Sequence, residues 1–440
     1  MKFKWTDAQE EAVYADISNI LVTAAAGSGK TQVLTGRILE RIKAGQDVDR
    51  LLIVTFTNAA AAEMRGRIAK TLSEYLRQNT ADTHVRRQLA MMPCANITTI
   101  HSFCLNVIRE NFFELSLPAD FRIGDTAENE LLKLEAVDDA LEELYGEAEP
   151  DFLAFADAFS SPRTDDDAVK AIMQVYSFSR SMPDPDAWLT EAENAYDPEN
   201  VKISDCTEII LNSARKKLLF LAEDFKTALS HCTEINGLAS YREHIENEIA
   251  EIESVIPHTE RDKFRDEVLR VSTSFTRIPS LKKGTFDEEE KAYVTDVRNK
   301  VKKGVSDILG LFPEDSETAE KTLRLCGAAV RGLISAVRRF DEKYTAAKRG
   351  KNVIDYNDME HMCISLLHKN GAPTPVAERL RDHFDEIYID EYQDSNEAQE
   401  FIFSLISRES AGVPNIFLVG DLKQGMYGFR QASPHLFAEK

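Results

Sequence analysis

No run of roughly 18 uninterrupted apolar residues exists in this 440-residue chain, so a helix crossing a bilayer is excluded. The N-terminus, Met1-Lys2-Phe3-Lys4-Trp5, leads into a polar, helix-like run rather than the apolar core of a secretion signal. A cytoplasmic protein with no membrane partner is the expectation. Cysteine is scarce and dispersed at Cys94, Cys104, Cys206, Cys232, Cys326 and Cys363, with no Cys-x-x-Cys pair. Zinc and iron–sulfur ligation therefore lack their ligand pattern, and reduced thiols are expected. Positive charge is also short. The formal net charge is -22, opposite to the basic footprint usual for a nucleic-acid binder. The deficit is uneven, because acidic side chains crowd residues 125–160, where Lys133 is the one cation. Stacking on bases does not depend on net charge, so a local binding surface remains open. No fixed-period repeat and no low-complexity tract occurs.

What is present is a strand–helix alternation at both ends. Asn19–Ala24 is a short apolar run feeding a glycine turn. Leu51–Thr57 is rich in β-branched residues and reads as a buried parallel strand. Ala59–Tyr75 follows with strong helix formers, and Asn96–Thr99 is a third strand with a helix after it. From about 125 the period changes. Leu131, Leu134, Val137, Leu141 and Leu144 recur at helical spacing, and Asp205–Thr233 and Tyr241–Ile256 continue in that manner. Near the end two apolar strands return, Glu386–Ile389 and Asn415–Gly420, each running into acid at Asp390-Glu391 and Asp421. Ligands of open α/β sheets sit at the carboxyl ends of strands, so these acids are expected to face the crevice of the first glycine turn. The predicted fold is α/β. It is a P-loop NTPase (RecA-like) parallel sheet built from 1–112 and 350–440, with a large, mostly α-helical domain inserted over 113–349.

The chemistry-bearing residues lie at these strand ends. Ala24-Ala25-Ala26-Gly27-Ser28-Gly29-Lys30-Thr31 follows a strand and opens a helix. A phosphate loop needs glycines so that backbone N–H groups can wrap the anion, a Lys for the β/γ oxygens and a hydroxyl for Mg²⁺. Gly27, Gly29, Lys30 and Thr31 supply these, although the generic pattern wants Gly where Ala24 stands. Asp390 at the second strand end suits metal, and Glu391 beside it suits the base that orients water. Taken alone, such an acidic turn is more often a helix cap. Gln424 after the last strand could sense a γ-phosphate. Tyr427 and Phe429 could stack on bases, or simply pack in a core.

These blocks together resemble the UvrD/RecB group of superfamily 1 helicases. Trp5-Thr6-Asp7-Ala8-Gln9 looks like that group's Q motif, and the glycine run like motif I, in which Ala is common at the first position. Thr55–Arg67 looks like motif Ia, Thr99–Phe103 like motif Ib, Ile389–Asp394 like motif II, and Gly420–Arg430 like motif III. Ile354–Met359 is similar to the block that re-enters the motor domain, and Gln431–Phe437 to the tail seen in its helicase–nuclease branch. Gln32, Gly425 and Met426 depart from the group's usual residues. The resemblance implies ATP and Mg²⁺ as cofactors. Gln9, the run from Ala24 to Thr31, and Arg37 would hold nucleotide. Lys30, Thr31, Asp390, Glu391 and Gln424 would carry hydrolysis, with Thr31 and Asp390 on the metal. Phe56, Thr57, Asn58, His101, Tyr427 and Phe429 would meet DNA, single- or double-stranded.

The implied function is an ATP-driven DNA translocase, paired with a second, AddB-like subunit within a helicase–nuclease that processes breaks for recombinational repair. The alternatives are a plain repair helicase and a nucleotide-gated binding module. An intact Glu391 speaks against the latter. The motifs of a second motor domain do not follow Arg430 within this chain. The expectation is therefore one motor domain plus its helical insert, weakly active alone, from a longer protein.

Overall fold

The computed structural model describes residues 5–25, 27–161, 163–197, 204–425 and 431–440. The first elements are α1 (Asp7–Tyr14), β1 (Ile20–Thr23), α2 (Lys30–Lys43), β2 (Leu51–Thr55), α3 (Asn58–Gln78), α4 (Thr83–Met91), β3 (Asn96–Thr99) and α5 (Ile100–Asn111). A short β4 (Arg122–Ile123) precedes a long helical stretch. Its helices are α6 (Thr126–Glu147), α7 (Pro150–Phe159), α8 (Asp166–Ser179), α9 (Pro185–Ala195), α10 (Ser204–Ser230), α11 (Ala239–Val255), α12 (Arg261–Ser274), α13 (Glu288–Leu309) and α14 (Ser316–Gly350), then, after β5 (Val353–Ile354), α15 (Tyr356–Leu367). The chain closes with the hairpin strands β6 (His368–Lys369) and β7 (Ala372–Pro373), then α16 (Pro375–His383), β8 (Glu386–Ile389), α17 (Glu397–Ile406), β9 (Ile416–Gly420) and α18 (Pro434–Glu439).

Five strands form the central sheet in the order β1-β9-β8-β2-β3, and every pairing is parallel. Parallel strands are covered on both faces, which is why they read as unbroken apolar runs rather than alternations. Alternate residues indeed serve two cores. Leu52, Val54, Ile387, Ile389, Ile416 and Leu418 join the core made with α5, α15 and α17. Leu51, Ile53, Ile97, Tyr388, Phe417 and Val419 join the one made with α2, α3 and α4. The glycine turn follows β1, and the two acidic turns follow β8 and β9. The sheet order sets β9 and β8 beside β1, so all three turns emerge at one sheet end.

The chain divides into two compact units, Met1–Ala192 with Gly332–Lys440, and Glu193–Arg331. The second unit is a helical assembly in which α10–α13 enclose Leu218, Phe225, Tyr241, Ile252, Phe264, Val294 and Ile308. It is smaller than the 113–349 expected for the helical part. Helical periodicity shows where strands stop, not where contacts divide. Here β4 pairs with β5, the carbonyl of Ser181 accepts from Ala398 N at 2.9 Å, and the carbonyl of Arg180 lies 2.9 Å from His361 Nε2. These ties hold the segment through α8 to the sheet-bearing unit. The expected face of α6 is also corrected. Leu131 and Leu134 are exposed, while Leu132, Ala136, Val137, Ala140, Leu141 and Leu144 are buried. Among the described residues no helix is long and apolar enough to cross a membrane.

Candidate nucleotide site and adjoining cleft

The glycine turn is shaped by backbone that most side chains resist. Gly27 and Gly29 have φ of 75° and 89°, a left-handed region that costs glycine nothing. Gly29 is the N-cap of α2 and provides no side-chain cap, so the first N–H groups of α2 point outward, as an anion site requires. Gln9 stands over this turn. Thr6 and Gln9 form a capping box at the start of α1, and Gln9 Nε2 donates to the carbonyl of Ser28 at 2.9 Å. Ala24 N donates to Gly420 O at 3.2 Å, tying the turn to β9. Ala26 lies outside the described residues.

Lys30 is largely buried and points at the other two turns. Its Nζ donates to Gln424 Oε1, 394 positions further along the chain, at 3.3 Å. It also lies 3.7 Å from Glu391 Oε2. Thr31, Asp390, Glu391 and Gln424 line one cavity of about 570 Å³, with Phe56, Thr57, Arg67, Gln393 and Lys423. Burial pushes the Asp390 carboxyl up to about 6, with the neighbouring Glu391 charge adding to the rise. A carboxylate this desolvated is a group that a cation would relieve. No cluster of three or more His, Cys, Asp or Glu side chains able to hold a metal occurs among the described residues. One carboxylate and one hydroxyl fit a divalent ion that keeps waters and takes substrate phosphate oxygens, as Mg²⁺ does, better than one caged by protein.

Arg37 is not part of this site. It is fully buried, and its Nε donates to Glu386 Oε1 at 2.7 Å. Its Nη1 donates to the carbonyls of Ala12 and Ala15, both at 2.9 Å. Seven residues of helix carry it about 10 Å beyond Lys30, into the core rather than toward the turn. Its role is to fasten the end of α1 to α2 and β8.

A second cavity, of about 590 Å³, adjoins the first and shares Phe56, Thr57 and Asp394 with it. Asn58 and His101 also line it, so four of the six candidate DNA residues converge there. Tyr427 and Phe429 lie outside the described residues. Thr57 also caps α3, its Oγ1 accepting from Ala60 N at 3.1 Å. His101 Nε2 lies 3.1 Å from the buried Glu360 carboxylate, and Gln399 Nε2 donates to the same oxygen at 2.7 Å. Sequence reasoning misses Tyr356, Asn357, Arg180 and Gln399, which complete the lining. Tyr356 is 57% exposed at the first position of α15, an unusual place for a bare aromatic and the one available signal. Its ring meets His101 edge-on at 5.1 Å.

The family described as UvrD/REP helicase N-terminal domain matches residues 5–440. Among curated relatives, the A subunit of the ATP-dependent helicase/nuclease of Thermoanaerobacter pseudethanolicus is 39% identical over 455 residues, covering 100% of this chain and 36% of that protein. The protein of the same name in Clostridium beijerinckii is 36% identical over 450 residues, covering 99% and 36%. That of Listeria welshimeri is 37% identical over 453 residues, also covering 99% and 36%. The chain therefore spans about a third of the length of these relatives.

Proposed function

This chain belongs to the UvrD/REP helicase family, and from that premise we propose that it forms the ATP-hydrolysing motor segment of a DNA translocase. The observation that carries the reading is the meeting of Lys30 with Glu391 and Gln424 at the glycine turn, from three separate strand ends. The glycine turn acts as the phosphate loop of a RecA-like motor domain built from 1–112 and 350–440, and residues 113–349 include its helical insert. Lys30 holds the β/γ oxygens, and Thr31 and Asp390 hold Mg²⁺. Glu391 takes the proton of the attacking water, and Gln424 reports the state of the γ-phosphate to the adjoining cleft. Bound Mg²⁺ supplies charge neutralisation on the phosphate oxygens. Gln9 selects adenine. Phe56, Thr57, Asn58 and His101 receive single-stranded DNA.

The relatives' name supports a place in a cytoplasmic helicase–nuclease that processes double-strand breaks. It describes one lettered subunit of an enzyme, which supports pairing with a second, AddB-like subunit. No residue of this chain is assigned to nuclease chemistry. The test is made in the full-length protein. Lys30→Ala abolishes ATP turnover, and wild-type turnover in that variant would remove the phosphate-loop assignment. Glu391→Gln retains Mg-ATP binding by calorimetry while turnover falls by roughly 10²–10⁴, the worth of a general base. Loss of binding instead would make Glu391 a ligand or a structural residue.

A further inference from the structure

Glu391 presents a difficulty that Lys30 does not solve. Its side chain is 39% exposed, and its backbone sits at φ 54°, an uncommon conformation for a residue with a side chain. A long, half-exposed carboxylate samples many rotamers, yet a general base must be held within hydrogen-bond reach of its target. Lys30 is 3.7 Å away, and it is the residue assigned to phosphate. Something else must aim Glu391.

Gln393 is placed to do so. It is 1% exposed, and its Nε2 donates to Glu391 Oε2 at 2.8 Å. Its Oε1 accepts from the backbone N of Asp421 at 3.0 Å, at the end of β9. The amide can face only one way, because a backbone N–H only donates and a carboxylate only accepts. The neighbouring residue is cut to match. A Cβ on Gly420 would lie 2.4 Å from Gln393 Oε1, so glycine there is what lets the amide reach the strand. Asp421 in turn accepts from Gln424 Nε2, and Gln424 accepts from Lys30. Gln393 therefore closes a ring of polar contacts through all three turns. The next residue, Asp394, lines both the nucleotide cavity and the adjoining cleft.

We propose that Gln393 is the positioning residue that fixes the Glu391 carboxylate and ties its aim to the β9 end. This rests on the reading of Glu391 as the base. The experiment measures DNA-stimulated ATP turnover and nucleotide affinity in the full-length protein for Gln393→Ala, Gln393→Glu and Glu391→Gln. Gln393→Glu is the sharper variant, since it keeps the acceptor for Asp421 N and removes only the donor to Glu391. Both Gln393 variants are expected to lower kcat by roughly 10- to 100-fold while KM for ATP and calorimetric affinity stay within about twofold. A structural role would instead lower affinity and melting temperature together with kcat. Wild-type kcat in both Gln393 variants, with Glu391→Gln inactive, overturns the positioning role alone. Affinity falling in step with kcat in Gln393→Glu also overturns it. Turnover retained in Glu391→Gln overturns the underlying reading of the base, and the proposal with it.

Discussion

Single side chains are legible in the sequence where chemistry narrows the choice. Lys30, Asp390 and Glu391 can be assigned because few residue types hold phosphate, metal or a proton at a strand end. Arg180, Glu360 and Gln399 cannot, since they come from three segments and look like ordinary helix polarity until the fold gathers them around one cleft. Phe56 stands between the two kinds, half-buried and lining both cavities. Phe56→Ala in the full-length protein is expected to weaken single-strand binding by roughly 1–3 kcal/mol, the stacking range, with DNA-free turnover little changed. Unchanged affinity in a fluorescence titration would assign the ring to packing. His361 offers a separate residue-scale test. Burial, with Arg180 adding, depresses its pKa to about 4. The unfolded chain takes that proton near the ordinary value of about 6.5, and the folded chain refuses it. Stability is therefore fully present above about pH 6.5 and is lost as pH falls toward 4. Against His361→Gln, wild type should lose up to about 3 kcal/mol more over that window. Parallel urea midpoints for the two proteins across it would show that His361 carries no such linkage.

At the scale of elements, sequence patterns reveal the identities of the strands and helices well and their facing less well. β2 is readable because a buried parallel strand has no polar face to confuse it. The face of α6 is harder, because its first two turns carry leucines on two sides, and only packing decides which pair is buried. Arg37 shows a similar limit. Nothing in its spacing reveals that it lies under α1, α2 and β8 with Glu386, Arg41 and Tyr388. Arg41 Nε donates to Glu386 Oε2 at 3.0 Å, and Tyr388 donates to the same oxygen at 2.8 Å. Removing one partner of a buried pair leaves the other charge and three carbonyls unsatisfied, a loss of about 3–5 kcal/mol. Arg37→Met should therefore lower the denaturant midpoint by that amount. Because α1 carries Gln9, it should also loosen adenine selectivity. A stability change under about 1 kcal/mol would show that the elements are held together by other contacts.

For the whole molecule, the return of strand patterns after a long helical stretch is enough to predict a sheet drawn from both ends of the chain. The division into units is not predictable in this way, because it depends on contacts that leave no period in the sequence. The interleaved order β1-β9-β8-β2-β3 means that neither end of the chain makes a sheet by itself. A protease cut between α12 and α13, at Lys282 or Lys283, should leave the two fragments together on gel filtration, separating only in denaturant. Fragments that part without denaturant would contradict the pairing. The same order sets a clock for synthesis. β1 has one sheet neighbour, β9, with Ile20 opposite Phe417. A ribosome adding about 5–20 residues per second needs on the order of 20–80 s to deliver that partner. Throughout that interval the glycine turn is translated but has no wall to lean on. The nascent chain is thus expected to pass most of its synthesis unable to grip nucleotide, dependent on whatever shields an unpaired apolar strand, and to become competent only in its last moments.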